Sequence, residues 1–474
     1  MLFDTPVYFV FLLAVVPTYW LLRRRRQNQL LLVASYVFYG WWDWRFLSLI
    51  MCSTLVDFFC ARAIASTEDV VRRRTLLAIS VSVNIVFLGF FKYFNFFADS
   101  LHGLLHMIGL DIPMPVLRVL LPPGISFYTF QELAYIVDVY HRRLKPANSL
   151  LDYALFITLF PHLIAGPIQR PSHLLPQVQH ERRFEPDKVY DGILLILSGL
   201  FRKVVVADNC ALLANAAFNG QLGPPSLPVV ALGTYAFAWQ IYGDFSGYSD
   251  IARGSAQLMG FHFILNFRQP YLARSIQDFW RRWHISLSTW LRDYLYIPLG
   301  GSRHGERQTY RNLMATMFLG GLWHGANWTF VVWGNIHGVL LSLHRLWNGG
   351  RTAEGAEGGV RLASSRTWVH RFVVFHLVCL TWIFFRAGSL SEAAHLIAGL
   401  GTWTWRPAYW VALKFLALFA IPLFVVDLWL ERSTEEYVGQ SRSHSFRLAV
   451  ATALLALTIF FGASEVSTFI YFQF

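Results

Sequence analysis

Apolar runs about as long as a lipid bilayer is thick recur along this sequence and limit what it can fold into. A membrane-spanning helix needs about 20 mostly apolar residues. Clear candidates cover residues 6–22, 29–44, 46–64, 75–97, 189–206, 228–243, 372–385, 408–430 and 447–463. The sequence therefore predicts an all-α integral membrane protein that crosses the bilayer many times.

The composition agrees with this prediction. Of 474 residues, 55% are hydrophobic and only 14% are charged, whereas about a quarter are charged in an ordinary soluble domain. The net charge of +12 is concentrated in short clusters such as residues 23–26 and 72–74, a pattern typical of cytoplasmic loops. Because no nucleic-acid-binding motif accompanies the basic residues, we expect membrane lipid as the surroundings and no nucleic acid as a partner.

The positions of the charges also predict a topology. Positive charge follows the first apolar run, which favours a retained span with the amino terminus outside. Residues 29–44 and 46–64 should form a hairpin that turns near Trp41, Trp42 and Trp44. If residues 431–447 are inside, the last span carries the carboxyl terminus outside.

Three apolar regions do not fit simple spans. Residues 113–139 and 151–171 contain prolines, glycines and polar side chains, and such backbone survives at membrane depth only when it is buried in protein or lines a wet cavity. Residues 312–346 are too long for one span and have basic residues on both sides, so they should enter the membrane and return. This arrangement places His324 at the innermost point of the turn.

Two further segments have recognisable character. Residues 278–294 are amphipathic with a helical period, which predicts a helix at the cytoplasmic interface or packed inside the membrane core. Residues 349–365 are rich in Gly, Ala, Glu and Ser and predict a mobile cytoplasmic loop. We expect the chain, residues 1–474, to form a single domain.

His324 is the first candidate for chemistry, because an ionisable side chain inside a membrane is costly and therefore often functional. A neutral imidazole in such a place is a competent general base, a role worth about 10²–10⁴ in rate. The alternative is that His324 only forms a hydrogen bond between helices next to the glycines. Spacing alone leaves both open.

His284 is the second candidate and follows Arg281 and Arg282, which could bind an anionic ligand through charge-assisted hydrogen bonds. The alternative is an interfacial helix whose arginines face lipid phosphates. The other histidines lack the H-E-x-x-H spacing or a carboxylate partner, so we expect no metal site.

Residues 243–250 contain a serine between glycines but do not match G-x-S-x-G. A helix break with polar lining is favoured over a serine nucleophile. Asp244 and Asp250 would then line a cavity.

Several motifs together resemble one family. They are residues 31–42 (LLVASYVFYGWW), 123–131 (PGISFYTFQ), 160–168 (FPHLIAGPI), 279–288 (FWRRWHISLS) and 321–325 (GLWHG). The sequence resembles the membrane-bound O-acyltransferase family, in its bacterial branch with the alginate O-acetyltransferase membrane subunits, and is related to the teichoic-acid D-alanyl transferases. The resemblance implies roughly ten or eleven transmembrane helices plus re-entrant segments around a central tunnel.

The resemblance also implies roles for residues. His324 matches the catalytic histidine of the family, and His284 matches a second functional histidine. Residues 469–474 (FIYFQF) resemble a terminal hexapeptide of related acyl-transfer systems, in which the tyrosine is proposed to carry the acyl group. Tyr471 is thus an acyl-carrier candidate, and an aromatic anchor at the membrane interface is the alternative.

Together these features predict an O-acetyltransferase of the bacterial inner membrane with both termini in the periplasm. Acetyl-CoA is the expected donor substrate, with no bound cofactor, and Arg281 and Arg282 are the donor-binding candidates. A periplasmic acetyltransferase partner would pass the acetyl group to an exported polysaccharide, with alginate first and cellulose or peptidoglycan as alternatives. A transporter or flippase is the rival class, but transporters often show two similar halves, and none is visible here.

Overall fold

Helices form every regular element that the structure describes. The structure is a computed structural model and describes residues 1–111, 117–349, 365–463 and 467–470. Contacts divide the chain into two compact units, one of Met1–Ile193 with Ala252–Ile264 and one of Leu194–Ile251 with Leu265–Phe474. The predicted all-helical class is confirmed. Most of the predicted 349–365 loop and of the 469–474 motif, Tyr471 included, lies outside the described residues.

The helices of the amino-terminal part are numbered in chain order. They are α1 (Pro6–Trp20), α2 (Arg24–Asp43), α3 (Leu47–Ser66), α4 (Val70–Leu88), α5 (Phe94–Met107), α6 (Ile125–Tyr140), α7 (Leu150–Thr158), α8 (Phe160–Leu163) and α9 (Pro171–Gln179). A 3₁₀ turn, Trp44–Phe46, separates α2 from α3. The helix is therefore interrupted near the three tryptophans, and the predicted hairpin of residues 29–44 and 46–64 stays a prediction.

The later helices complete the described chain. They are α10 (Pro186–Leu200), α11 (Asp208–Phe218), α12 (Leu227–Leu258), α13 (Ile276–Arg282), α14 (Ile285–Leu291), α15 (Glu306–His324), α16 (Trp328–Trp347), α17 (Ser365–Arg386), α18 (Leu390–Gly399), α19 (Ala408–Glu431) and α20 (His444–Phe461). Three π-helical segments, Gly89–Tyr93, Phe201–Ala207 and Arg292–Tyr296, follow α4, α10 and α14. Such segments are frequent at functional sites.

Five helical runs within the described residues are long and apolar enough to cross a bilayer. They are Arg24–Ser66, Val70–Met107, Ser365–Arg386, Ala408–Glu431 and His444–Phe461. On the last of these, Phe460 is 80% exposed, as expected for a side chain solvated by lipid tails. The polytopic membrane class is confirmed, while the predicted span count and the central tunnel stay predictions.

Two of the regions that we expected not to be simple spans are interrupted. Gly124, just before α6, has a φ of 74°. A Cβ at that position would lie 2.5 Å from the carbonyl oxygen of Leu163, so glycine is required there. After α7, the chain turns at Leu159 into α8, where His162 Nε2 lies 3.1 Å from Gln131 Oε1.

The prediction of one continuous helix over residues 278–294 was wrong. α13 ends at Arg282, Trp283 is extended, and His284 adopts a left-handed conformation with φ 44° and ψ 54° before α14 begins. At the break, Asn266, which lies in another segment of the chain, accepts hydrogen bonds from the backbone amides of Ile285 and Ser286. The helical periodicity of residues 278–294 could not predict this break, because Asn266 lies outside that segment.

The prediction of a helix break within residues 243–250 was also wrong, because α12 continues through them. The glycines serve helix packing instead. A Cβ on Gly247 would lie 2.6 Å from the carbonyl oxygen of Gly199, and a Cβ on Gly199 would lie 2.5 Å from that of Gly247. Small residues let two helix backbones approach this closely.

Candidate active site

His324 is the last residue of α15, and a tight turn follows it. Gly325 is needed at this turn because a Cβ there would lie 2.2 Å from the ring of Phe330. Asn327 then caps the start of α16 with its side chain. The predicted turn within residues 312–346, with His324 beside it, is confirmed.

Two glycines bring the backbones of α15 and α16 into contact one turn before His324. A Cβ on Gly321 would lie 3.0 Å from the Cα of Gly334, and a Cβ on Gly334 would lie 2.3 Å from the carbonyl oxygen of Met317. No side chain fits between the two helices here. The position of His324 relative to α16 is therefore fixed by direct backbone packing.

Aromatic rings surround His324, which is 3% exposed. The ring centroid of Trp333 on α16 lies 5.0 Å from that of His324, and the centroid of Phe385 on α17 lies 5.5 Å away. Trp333 in turn stacks on Trp382, with centroids 5.8 Å apart. This wall keeps bulk water away from the imidazole.

Asn266 holds both the backbone and the ring of His284. The Oδ1 of Asn266 accepts hydrogen bonds from the amide and hydroxyl of Ser286, at 3.2 and 2.9 Å, and lies 3.2 Å from His284 Nδ1. The carbonyl oxygen of Asn266 accepts from the Ile285 amide at 2.9 Å. A left-handed backbone costs a non-glycine residue about 1–2 kcal/mol, which these bonds offset.

The same hydrogen bonds define the tautomer of His284. The Ser286 amide can only donate, so the Asn266 atom that faces it is the oxygen. His284 Nδ1 faces this oxygen and must carry the ring proton, which leaves the lone pair on Nε2. The two helices that flank His284, α13 and α14, have seven residues each and are too short to cross a membrane. Burial lowers the pKa of its imidazole to about 3, so the ring is neutral and Nε2 is an acceptor.

The structure brings the two predicted histidines together. The ring centroids of His284 and His324 are 6.3 Å apart. The ring of Trp323 lies 5.7 Å from His284 and 5.1 Å from His324. Phe245 on α12 meets His284 edge-on at 4.6 Å. Two imidazoles thus share one buried aromatic enclosure, which is defined here by His284, His324 and these neighbouring rings.

A third buried histidine, His337 on α16, differs in its hydrogen bonding. Its Nδ1 accepts a hydrogen bond from Trp280 Nε1 at 3.3 Å, and its Nε2 lies 3.0 Å from Thr381 Oγ1. Both ring nitrogens therefore have partners within the fold. This arrangement indicates a structural histidine.

The two arginines that were candidates for donor binding have different surroundings. Arg282 forms ion pairs with Asp278 at 2.8 Å and with Glu431 at 2.6 Å, and Glu431 also pairs with Arg371 at 3.0 Å. Arg281 lines a cavity of about 620 Å³. Other basic side chains that line this cavity are Arg292, Arg303, His344 and Arg345.

The described tail segment, residues 467–470, is anchored within the second unit. Phe469 is 0% exposed and stacks on Tyr248, with ring centroids 4.2 Å apart. Phe469 also lies 5.9 Å from Phe245, the ring that meets His284. Tyr471 follows this segment and lies outside the described residues.

Asn266 and a buried lysine, Lys203, were missed by the sequence reasoning. Asp244 and Asp250, which we expected to line a cavity, take part in ion pairs with Lys203 at 2.9 Å and with Arg202 at 3.6 Å. The signal that singled out His324, an ionisable side chain within an apolar run, also applies to Lys203. Asn266 has no such signal.

The fold and the site together define a helical membrane protein with a buried histidine pair that is suited to proton transfer. The chain belongs to the membrane-bound O-acyltransferase family, whose model matches residues 141–385, just over half of the chain. Both histidines fall within this range. The protein is therefore a membrane O-acyltransferase.

Curated relatives agree with this assignment. The chain is 44% identical over 410 residues to a probable alginate O-acetylase of Pseudomonas aeruginosa, covering 85% of this chain and 76% of the relative. It is 35% identical to a peptidoglycan O-acetyltransferase of Helicobacter pylori, covering 84% and 80%. It is 28% identical to a teichoic acid D-alanyltransferase of Bacillus subtilis, covering 55% and 68%. These similarities support a membrane O-acetyltransferase.

Proposed function

We propose that this protein transfers an acetyl group from cytoplasmic acetyl-CoA, across the bacterial inner membrane, for the O-acetylation of an exported polysaccharide. The observation that carries the proposal is the pair of buried histidines in one aromatic enclosure, 6.3 Å apart. Alginate is the first candidate acceptor because of the relatives named alginate O-acetylase. Peptidoglycan is the second because of the Helicobacter relative.

The cavity beside Arg281 is the proposed donor site. Its volume of about 620 Å³ falls within the range of roughly 300–1,000 Å³ that is common for ligand pockets. Its basic side chains suit the phosphates of coenzyme A through charge-assisted hydrogen bonds. Arg282, held by Asp278 and Glu431, would contribute by fixing the orientation of α13.

His324 is the proposed general base. It removes the proton from an attacking hydroxyl, the oxygen bonds to the thioester carbonyl carbon, the carbon–sulfur bond breaks, and the departing thiolate takes the proton from the imidazolium. A cation at the end of a helix is stabilised by the helix dipole by about 0.3–1 kcal/mol, and His324 ends α15. His284, the second catalytic histidine, accepts a hydrogen bond from the hydroxyl through Nε2 and so orients it.

Tyr471 is the proposed nucleophile and acetyl carrier. The burial of Phe469 against Tyr248, next to the ring that packs on His284, supports this role because Tyr471 lies only two residues further along the chain. The acetyl ester then passes to a periplasmic acetyltransferase partner, and from there to the polysaccharide. Both termini are proposed to be periplasmic.

His324→Gln tests the catalytic assignment. We expect acetylation of the polymer to fall by at least about 10²-fold, as for loss of a general base, with the protein still present in the membrane. His337→Gln is the matched control, since His337 is buried in the same unit but bonded within the fold, and it should retain acetylation. Mass spectrometry of alginate and of peptidoglycan from the same cells identifies the acceptor. Full acetylation by the His324 variant would contradict the proposal.

Tyr471→Phe tests the carrier role separately. Removing only the phenolic oxygen should abolish transfer to the polysaccharide while the protein level is unchanged. A topology reporter fused after residue 474 should report the periplasm. Normal acetylation by Tyr471→Phe would leave Tyr471 as an aromatic anchor, and a cytoplasmic reporter signal would exclude the relay across the membrane.

A further inference from the structure

A lysine lies fully buried between two carboxylates in the second unit. The Nζ of Lys203 lies 2.8 Å from Asp208 Oδ1 and 2.9 Å from Asp244 Oδ1, and the three side chains are at most 2% exposed. Lys203 belongs to the π-helical segment Phe201–Ala207, and Asp244 lies on α12. Because two carboxylates share one ammonium group, the cluster can accept further hydrogen bonds.

The tail segment, residues 467–470, supplies such bonds. Lys203 Nζ donates to the carbonyl oxygen of Ser467 at 2.7 Å, and the Ser467 hydroxyl donates to Asp208 Oδ1 at 2.7 Å. The Ile470 amide donates to Asp244 Oδ2 at 2.7 Å. All three charged groups thus contact the tail segment. Losing it would leave buried charges with fewer partners, which is strongly unfavourable.

The same contacts fix the register of the tail segment. Ser467 and Ile470 bind the charged cluster, and between them Phe469 fills a slot beside Tyr248 and Phe245. A shift by one residue would remove Phe469 from the slot and the Ile470 amide from its acceptor. The chain therefore leaves Ile470, which is 1% exposed, at a defined place and in a defined register.

We propose that Lys203, Asp208 and Asp244 form a socket that holds the tail segment, residues 467–470, in register, and that transfer through Tyr471 depends on this register. They are positioning residues, since they act through the tail segment. This inference rests on the proposed function of Tyr471 as acetyl carrier. It adds a specific way in which the fold holds the segment that precedes Tyr471.

A purely structural role for the cluster would be to join the π-helical segment to α11 and α12. In that case substitutions would lower the stability of the protein without a selective effect on the tail segment. Amide hydrogen exchange of peptides that contain residues 467–470, measured on the full-length protein in lipid nanodiscs, separates the two roles.

The test compares Asp244→Asn with Asp427→Asn. The first keeps the side-chain volume but removes the charge that pairs with Lys203. The control carboxylate is also 2% exposed, lies in the same unit, and accepts a hydrogen bond from Tyr242. We expect Asp244→Asn to speed exchange in the tail segment at least tenfold, and Asp427→Asn to leave it unchanged.

The kinetic part uses the rate of coenzyme A release from acetyl-CoA by the nanodisc protein with its periplasmic acceptor fraction. Asp244→Asn should lower kcat at least tenfold with little change in KM for acetyl-CoA, because the donor site is intact. Ser467→Ala deletes one hydroxyl of the tail segment and leaves the three charged side chains in place. It should lower kcat in the same direction but by less, and it replaces Asp244→Asn in the test if that variant fails to fold.

Unchanged exchange in the tail segment of both variants would overturn the socket. Faster exchange with normal kcat would equally overturn it, because the register would then not matter for transfer. Tyr471→Phe keeps the two proposals apart: if this variant transfers normally, the carrier role fails, whereas the exchange data still report whether the cluster holds the tail segment.

Discussion

At the scale of the residue, His284 combines a proposed catalytic side chain with a backbone conformation that few side chains adopt. Its φ of 44° is costly for most residues, and asparagine is among the few that accept it readily. Histidine and aspartate, like asparagine, occur several-fold more often than other non-glycine residues in this conformation. Asparagine can therefore replace His284 with little added backbone strain, and the substitution then reports on the side chain.

His284→Asn tests the proposed catalytic role. We expect the free energy of unfolding to change by less than about 1 kcal/mol, because asparagine tolerates the left-handed backbone, while acetylation falls by about 10²-fold or more. Thermal unfolding of the purified protein and acetyl analysis of the polymer measure the two effects. A variant that loses stability and activity in parallel would indicate a structural histidine instead.

The residues also show where sequence reasoning reaches its limit. His324 and His284 were found because each stands in a local pattern, a broken apolar run or an arginine-rich motif. Asn266 was not found, since its importance depends on Ser286 and His284 being folded against it. Hydrogen bonds between distant segments leave no local pattern.

At the scale of the element, the α15–α16 hairpin was predictable from the sequence, but the close backbone contact between its two helices was not. The length of residues 312–346 and their basic flanks predicted the turn. The backbone contact at Gly321 and Gly334 could not be inferred, because glycines in a membrane helix also occur without helix contacts. The same ambiguity led to the incorrect helix break at residues 243–250.

Gly334→Ala tests the hairpin contact. The new Cβ would lie 2.3 Å from the carbonyl oxygen of Met317, and overpacking of this kind costs about 1–3 kcal/mol. We expect a lower melting temperature and reduced acetylation, as His324 shifts. Gly320→Ala is the neighbouring control, since its Cβ would meet a flexible Leu291 methyl at 3.2 Å, and it should behave like the wild type. Equal effects of the two substitutions would argue against the contact.

At the scale of the whole molecule, ion pairs join helices that lie far apart in the sequence. Glu431 at the end of α19 binds Arg282 on α13 and Arg371 on α17. The Arg282 and Glu431 side chains are partly buried, 17% and 15% exposed, so removing one of them leaves the other charge with limited access to water, which is unfavourable. Within the second unit, this link makes Arg282 part of the architecture, whereas Arg281 lines the cavity.

The two arginines should therefore respond differently to substitution. We expect Arg281→Gln to raise KM for acetyl-CoA by about tenfold or more, because a charge-assisted hydrogen bond is worth about 1.5–3 kcal/mol and about 1.4 kcal/mol corresponds to a factor of ten. Its melting temperature should fall less than that of Arg282→Gln. Arg282→Gln should lower the melting temperature more than Arg281→Gln does and raise KM less, because Arg282 affects the donor site only through the orientation of α13. Initial rates against acetyl-CoA concentration, together with thermal unfolding, distinguish them. A KM effect confined to Arg282→Gln would reverse the assignment.

The family and the all-helical class were accessible from the sequence because apolar runs and motifs are local features, and the same motifs made both histidines candidates. The socket was not, since it unites Lys203 and Asp244 with Ser467 near the carboxyl terminus. Nothing in the apolar pattern specifies which buried charges meet. Interactions that depend on tertiary contacts between distant segments required the structure.

The aromatic wall around His324 has a consequence for the fate of the donor. Hydrolysis of a thioester is strongly downhill, and any water that a base can activate competes with the intended acceptor. Trp333 and Phe385, which pack 5.0 and 5.5 Å from His324, exclude that competitor by occupying its space. In the proposed reaction with acetyl-CoA, the ratio of acetyl groups transferred to acetyl groups lost to water would thus depend on side chains that take no part in the chemistry.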